Sequence, residues 1–353
     1  MMKAAVRSGW VGTGLMFSTN HPKPAFDAQK KNAGDVLLKV NAAAMNPVDY
    51  KLPKAIGGAV RGIDVCGTVT EVGASVSDVK IGDVVIAAAK IPAHGAMAEF
   101  TVAGADKLVL LPSDWTVEEG AAIPVAYNTA ITGFEKAGMI ETYKTDSEKS
   151  PVDSILVIGA SGGCGTAALQ LAKGMKISRI IGICSSKNDQ FCKDHGATEI
   201  VAYDDAAAME SFLKDNAGKI DVIYDAASSS GGGEDYFGNS QVVGLLKQGK
   251  KSVSSSTTTT PYVILNAGLS QWARTFALGK PTSDPRIGLV MGEHSKEKFS
   301  LVLELLGKAK LKPAIDCTLE FTEQGVQEGY DKLHSRRAKG KIVVKMATLD
   351  TEK

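Results

Sequence analysis

One stretch, VIGASGGCG at residues 157–165, constrains the fold more than any other. It leaves an apolar run, turns on glycine and enters TAALQLAK, which has the composition of a helix. A strand, a tight turn and a helix in that order set a helix N-terminus behind a loop whose backbone can approach a phosphate closely. More short apolar runs follow: RIIGICSS, TEIVAYDD, KIDVIYDAA and PYVILNAG. Helix-like segments such as 166–173 and 189–195 separate several of them. Alternation of this kind predicts an α/β domain with a doubly wound parallel sheet covered on both faces.

The first third has another texture. DVLLKV (35–40) puts Val36, Leu38 and Val40 on one face of a strand, and DVCGTVTEVG (64–73) and GDVVIAAA (82–89) follow with glycines between them. Short strands joined by turns predict a small barrel or sandwich. The change comes near Tyr127, and RIGLVMGEHS (286–295) reads as the last strand of the parallel sheet. A helix, KEKFSLVLELLGKAK, and a closing strand, GKIVVKM (340–346), complete the chain. SSSGGGEDYFGNS (228–240) and SVSSSTTTT (252–260) read as flexible surface insertions, because small polar residues bury too little apolar area to offset ordering entropy. A lid over a substrate is the other reading of them.

Bulk properties exclude some classes. At 353 residues two domains are expected. Forty basic against 39 acidic residues leave a net charge of +1, which provides no strong general field for a polyanion, so nucleic acid is not an expected partner. Cys66, Cys164, Cys184, Cys192 and Cys317 are scattered with no CxxC pair, and the five histidines form no short metal spacing. Reduced thiols in a cytosol-like compartment fit this usage. No apolar run approaches the roughly 18 residues that cross a bilayer, which leaves peripheral membrane contact open. Residues 1–26 carry Lys3, Arg7 and Lys23 and no acid, a pattern shared with organellar transit peptides, but Ala4, Ala5 and Val6 could equally begin a sheet.

In the G-x-G-x-x-G register the glycines fall at Gly162 and Gly165, with Ala160 in place of the first. Gly162 would admit a pyrophosphate to the backbone, and Gly165 would let the helix pack closely on the strand. The whole turn, Ala160, Ser161, Gly162, Gly163, Cys164 and Gly165, is thus assigned to cofactor binding. About 20 residues on, a protein that prefers NAD places an acid against the ribose 2′-hydroxyl. Here the strand end reads ICSSKND, so Ser185, Ser186 and Lys187 stand in that place. Hydroxyls and an ammonium suit a 2′-phosphate through charge-assisted hydrogen bonds, which points to NADPH. An ordinary solvated turn is the competing reading, and Asp189 lies far enough on to begin or cap the next helix.

With these residues in place the chain resembles the medium-chain dehydrogenase/reductase superfamily, and within it the zinc-free quinone oxidoreductase branch. The matching pieces are AAAMNPVDYK (42–51), GIDVCGTVTEVG (62–73), VKIGDVV (79–85), GAMAEF (95–100), VIGASGGCGTAALQLAK (157–173) and the terminal GKIVV. NPVDYK and AIDCTLEF (314–321) look most like the chloroplast-envelope quinone oxidoreductase homologues and related enone reductases. The resemblance implies a GroES-like β-rich catalytic domain from both chain ends, 1–125 and 293–353, with a Rossmann NADPH-binding domain, 126–292, inserted between them. Zinc alcohol dehydrogenases of the superfamily use a cysteine where Asn46 stands and a His-Glu pair where Ile63 and Asp64 stand. This chain has neither the thiol nor the imidazole, so no metal is expected and alcohol oxidation is disfavoured.

The chemistry implied is hydride transfer from NADPH to a quinone or to the β-carbon of an α,β-unsaturated carbonyl. The resemblance puts Asn46 beside the nicotinamide, Thr129 close to the cofactor, Tyr203 near the adenosine phosphate, and Asn266 and Gly268 by the nicotinamide half. For Asn46 a turn role before Pro47 is the alternative, and for Tyr203, Asn266 and Gly268 plain strand-end packing. Tyr50 and Lys51 are candidates to donate a hydrogen bond or proton to the developing enolate, and solvent is the competing donor. Asp49 and Asp64 read as acids that orient this region. Two other functions stay open: an enoyl-thioester reductase, and a low-turnover NADPH-binding protein of sensor or crystallin type. A homodimer is expected from the family, with cytoplasmic location preferred and an organelle as the alternative.

Overall fold

The computed structural model describes residues 1–9, 14–229, 233–248, 259–290 and 292–346. In chain order its strands are β1 (Met2–Ser8), β2 (Gly14–His21), β3 (Asp35–Met45), β4 (Asp64–Val72), β5 (Val84–Ala89), β6 (Phe100–Leu110), β7 (Ser154–Ile158), β8 (Arg179–Cys184), β9 (Glu199–Ala202), β10 (Val222–Asp225), β11 (Tyr262–Ile264), β12 (Ile287–Leu289), β13 (Ile315–Glu320) and β14 (Lys341–Lys345). The chain divides into two units. One comprises Met1–Ala126, His294–Ser300 and Pro313–Lys353; the other comprises Tyr127–Glu293 and Leu301–Lys312.

In the first unit β1 and β2 form an antiparallel hairpin, so Ala4, Ala5 and Val6 do enter a sheet and are buried in it. The main sheet runs β13-β14-β3-β4-β5-β6, and β3 pairs with β6 as well, which curls part of the sheet into a closed, GroES-like barrel. Val36, Leu38 and Val40 join one buried cluster, as their alternation predicts, but β3 continues five residues further, to Met45. Alanine has little preference for strands. The run Ala42, Ala43 and Ala44 is held extended because it is paired on both sides, to β4 and to β14.

The second unit is a parallel sheet in the order β12-β11-β10-β7-β8-β9. Counted within the unit this is the Rossmann order, and the crossovers reverse direction between β7 and β10. β7 and β10 are fully buried, in keeping with helices on both faces. The chain reading gave 293–353 to the first unit, whereas Leu301–Lys312 packs in the second. Val302, Leu305 and Leu306 are buried there, and a Cβ on Gly174 would stand 2.3 Å from the Leu305 carbonyl oxygen, so glycine permits that close approach.

Of the two expected insertions, residues 230–232 and 252–258 lie outside the described residues. The described part of the first is not loose. Ser228 is buried with its hydroxyl donating to Asp225, the Tyr236 amide donates to Ser228 Oγ, and Phe237 enters the core. Asp225, buried at the end of β10, organises this segment by also accepting the amides of Ala227 and Ser228.

Candidate functional site

The glycine turn stands at the C-terminal end of β7, beside the point where the sheet reverses. Gly159 leaves the strand with φ +77°, a left-handed conformation that other residues adopt only with strain. The Gly159 and Ala160 amides both donate to Ile183 O, and Gly162 donates to Gly159 O, so the turn is braced before any ligand arrives. The helix Gly163–Gly174 follows with Gly162 as its N-cap and no side-chain cap. Its first intrahelical donor is Thr166, which bonds Gly162 O, so the amides of Gly163 and Gly165 precede the hydrogen-bonded ladder.

The two motif glycines differ in what surrounds them. A Cβ on Gly162 would meet only Gly159 O, at 3.5 Å, so the space ahead of the helix is open. On Gly165 it would stand 2.2 Å from Gly159 O and 2.8 Å from Ala160 Cα, which forbids a side chain where the helix crosses the strand end. An open cradle and a helix N-terminus fit a dinucleotide pyrophosphate. Ala160 is wholly buried with its amide occupied, and Ser161 Oγ accepts from Asn188 Nδ2 at 3.0 Å.

Beyond β8 the chain makes a 3-10 turn, Ser186–Asn188, and enters the helix Asp189–Asp194. Ser185 is buried, whereas Ser186 and Lys187 are exposed. Asp189 opens the helix and pairs with Lys193. Both donors of Ser186 are already taken: its amide bonds Asp204 Oδ1 at 2.8 Å and its hydroxyl bonds Asp204 Oδ2 at 2.9 Å. Those two bonds hold the exposed Asp204 carboxyl below its ordinary value. Tyr203, largely exposed, is fixed through its amide to Cys184 O. Asn266 is half-buried past β11, and Gly268 caps the helix Leu269–Leu278. Thr129 lies half-buried on the helix Pro124–Lys136, 3.0 Å from where a Cβ on Gly292 would be.

In the first unit Asn46 follows β3 and caps the short helix Pro47–Lys51. Asn46 is buried, and its amide hydrogen goes to Asp49 Oδ2 at 2.8 Å, the return half of a capping box. Its side chain is the hub of a polar cluster. Nδ2 donates to Asp64 Oδ2 at 2.9 Å, and Oδ1 accepts from Lys341 Nζ. Lys341, buried on β14, also donates to Asp64 Oδ2 at 3.0 Å and to Met45 O at 3.2 Å, while Asp64 Oδ1 accepts the Val125 amide at 2.8 Å. Asp49 is the strained member. Desolvation, then repulsion from Asp64, pushes its carboxyl up to about 7 against the pull of the Asn46 amide, Lys341 and Arg7, and Oδ1 has no partner. Arg7 pins the helix from below, donating to Asp49 O at 2.6 Å and to the carbonyls of Gly57 and Gly58.

Tyr50 and Lys51 share this helix but not the cluster. The Tyr50 ring tilts against His334 at 4.2 Å between centroids, and burial raises its phenol. Lys51 is exposed at the helix end; the protein packed around it, and then Arg336, lower its ammonium. Two surface hollows of this unit, about 460 and 180 Å³, are lined by none of Asn46, Tyr50 and Lys51.

Lys341, Asp204 and Gly159 are the features that the chain reading missed. Only Gly159 carried a local signal, as the glycine that ends an apolar run.

Comparison with known proteins identifies the lineage. Residues 32–113 match the alcohol dehydrogenase GroES-like domain, and residues 195–344 match the zinc-binding dehydrogenase family. A 2-methylene-furan-3-one reductase of Solanum lycopersicum is 31% identical over 323 residues, 88% of this chain and 71% of the relative. The chain belongs to the medium-chain dehydrogenase/reductase superfamily, in its quinone oxidoreductase-like branch. A chloroplastic quinone-oxidoreductase homolog of Spinacia oleracea is 34% identical over 177 residues, 48% of this chain; the match spans about half, 52%, of that relative's length. The solved quinone oxidoreductase from Coxiella burnetii superposes with a TM-score of 0.72 at 24% identity, covering 98% of this chain and 99% of that one, which shows the shared fold. The family to which the chain belongs uses a nicotinamide cofactor. Despite the second family's name, the donors here do not suit zinc. An amide and a carboxylate face an ammonium bonded to both of them, and zinc prefers thiolate and imidazole. Among the described residues no group of three or more His, Cys, Asp or Glu side chains could hold a metal ion. No helix of the described residues is long and apolar enough to cross a membrane.

Proposed function

We propose that this protein is an NADPH-dependent, zinc-independent reductase of quinones or α,β-unsaturated carbonyls. One observation carries the reading: the braced glycine turn with an open helix N-terminus at the reversal point of the sheet, followed by a hydroxyl- and lysine-bearing strand end. The printed names of the relatives, quinone oxidoreductase homolog and 2-methylene-furan-3-one reductase, support an electron-poor conjugated acceptor. The reduced nicotinamide supplies a hydride to such an acceptor.

The chain's own residues bind and orient. The turn 160–165 receives the pyrophosphate, and Ser185, Ser186 and Lys187 receive the 2′-phosphate. Thr129, Tyr203, Asn266 and Gly268 are proposed to line the rest of the cofactor. Asn46 is proposed to face the nicotinamide, its plane fixed by Lys341 and Asp64. Tyr50 Oη or Lys51 Nζ holds the proton that neutralises the reduced oxygen. A homodimer and residence in the cytoplasm belong to the same reading, with an organelle as the alternative because some relatives are named as chloroplast proteins.

The test is NADPH consumption with 9,10-phenanthrenequinone, a simple enone and a crotonyl thioester in parallel. Turnover of the first two is expected. Turnover of the thioester alone would make the protein an enoyl-thioester reductase, and tight NADPH binding without turnover would leave a binding protein. Lys187→Glu should weaken NADPH about tenfold or more while changing NADH little, since it replaces an attraction by a repulsion at the phosphate. Equal losses for both cofactors would remove the argument for phosphate recognition.

A further inference from the structure

The sheet register brings two strand ends together that are remote in the chain. Cys184 of β8 pairs with Ala202 of β9, and both strands run parallel, so the residues two further on, Ser186 and Asp204, stand side by side. There the Asp204 carboxylate takes the amide and the hydroxyl of Ser186 in a bidentate grip, at 2.8 and 2.9 Å. A phosphate would use the same two donors in the same way. The neighbouring Asp205 caps the helix Ala206–Asp215, its Oδ1 accepting the Ala208 amide, and Lys187 is a cation close enough to act on Asp204.

Resting on the proposed use of a nicotinamide dinucleotide, we propose that Asp204 is a specificity-determining residue, an internal carboxylate that occupies the anion seat of Ser186 and competes with the 2′-phosphate for it. A phosphate-bearing cofactor must swing a like charge away before it gains the Ser186 donors and Lys187. A cofactor with a free 2′-hydroxyl meets no such repulsion and can donate to Asp204. The chain therefore separates NADPH from NADH less sharply than its Ser-Ser-Lys loop would alone.

The experiment is titration calorimetry of the intact protein with NADP⁺, NAD⁺ and the fragments 2′,5′-ADP and 5′-AMP, for the wild type, Asp204→Asn and Asp204→Ala. Asparagine removes the charge and keeps an acceptor for the Ser186 amide, while its Nδ2 can donate to Ser186 Oγ in place of the bond that the hydroxyl now gives, so a turn that needs its cap survives in that variant. The expected result is roughly tenfold tighter binding of NADP⁺ and 2′,5′-ADP in Asp204→Asn, the size of one like-charge contact in partly screened surroundings, with NAD⁺ unchanged or weaker. If both dinucleotides bind and the NADP⁺ to NAD⁺ affinity ratio is the same in all three proteins, Asp204 is only a turn cap: the inference falls and the reductase reading stands. If no dinucleotide binds any of the three, both fall.

Discussion

Asp49 is the residue whose chemistry is least comfortable. It carries a buried carboxyl with one unpaired oxygen, a second acid close by, and a pKa pushed up to about 7. A carboxyl raised in the folded state binds its proton more tightly there than in the unfolded chain, whose value stays near its ordinary 3.8. The stabilisation this gives is complete below pH 4 and is lost as pH rises through 7, after which the folded protein carries the cost of a buried, half-satisfied charge. Stability should accordingly decline between pH 4 and 7, by on the order of a few kcal/mol from this group. Asp49→Asn preserves an acceptor for the Asn46 amide and removes the titration, so urea unfolding at pH 5 and pH 8 should differ less in the variant than in the wild type. An unchanged pH slope would show that the Asp49 carboxyl is satisfied by something other than the groups around it.

At the scale of elements, the turn between β7 and the helix Gly163–Gly174 separates binding from folding in two neighbouring glycines. Gly162→Ala adds a methyl to open space, so unfolding free energy should change by less than about 1 kcal/mol while dinucleotide affinity drops, because the methyl stands where the pyrophosphate would lie. Gly165→Ala drives a methyl into the Gly159 carbonyl and should cost about 2 kcal/mol or more as the helix is pushed off the strand. Equal effects on stability and binding in the two variants would contradict this division. The turn was legible in the sequence because strand, glycines and helix are contiguous. Asp204 was not, although only eighteen residues separate it from Ser186. Reading along the chain inspects the end of β8 alone, whereas parallel neighbours deliver their C-terminal ends to one edge; SSK and YDD would have had to be read together. Ala42, Ala43 and Ala44 were hidden for the opposite reason, since their own composition argues against a strand and only the pairing on both sides makes one.

The whole molecule is ordered by where its contacts fall in the chain. One half of the parallel sheet joins strands close in sequence, β7 to β8 and β8 to β9, inside a unit that is nearly continuous from Tyr127 to Glu293. The other unit is completed only when the chain returns: Ile342 of β14 pairs with Met45, and Lys341 reaches Asn46 across 295 residues. No local pattern could announce that lysine, because its partner is chosen by the last strand finding β3. Distant pairings form late, since loop-closure entropy must be overcome before they gain anything. Pulse-labelled hydrogen exchange during refolding should therefore protect the amides of Ile181 and Ile183 before those of Ala43 and Val344, the first group on sequence-adjacent strands and the second on strands that need both chain ends. Protection of all four in a single phase would mean that the two units fold only together, and that the order of contacts along the chain does not govern the order in which they form.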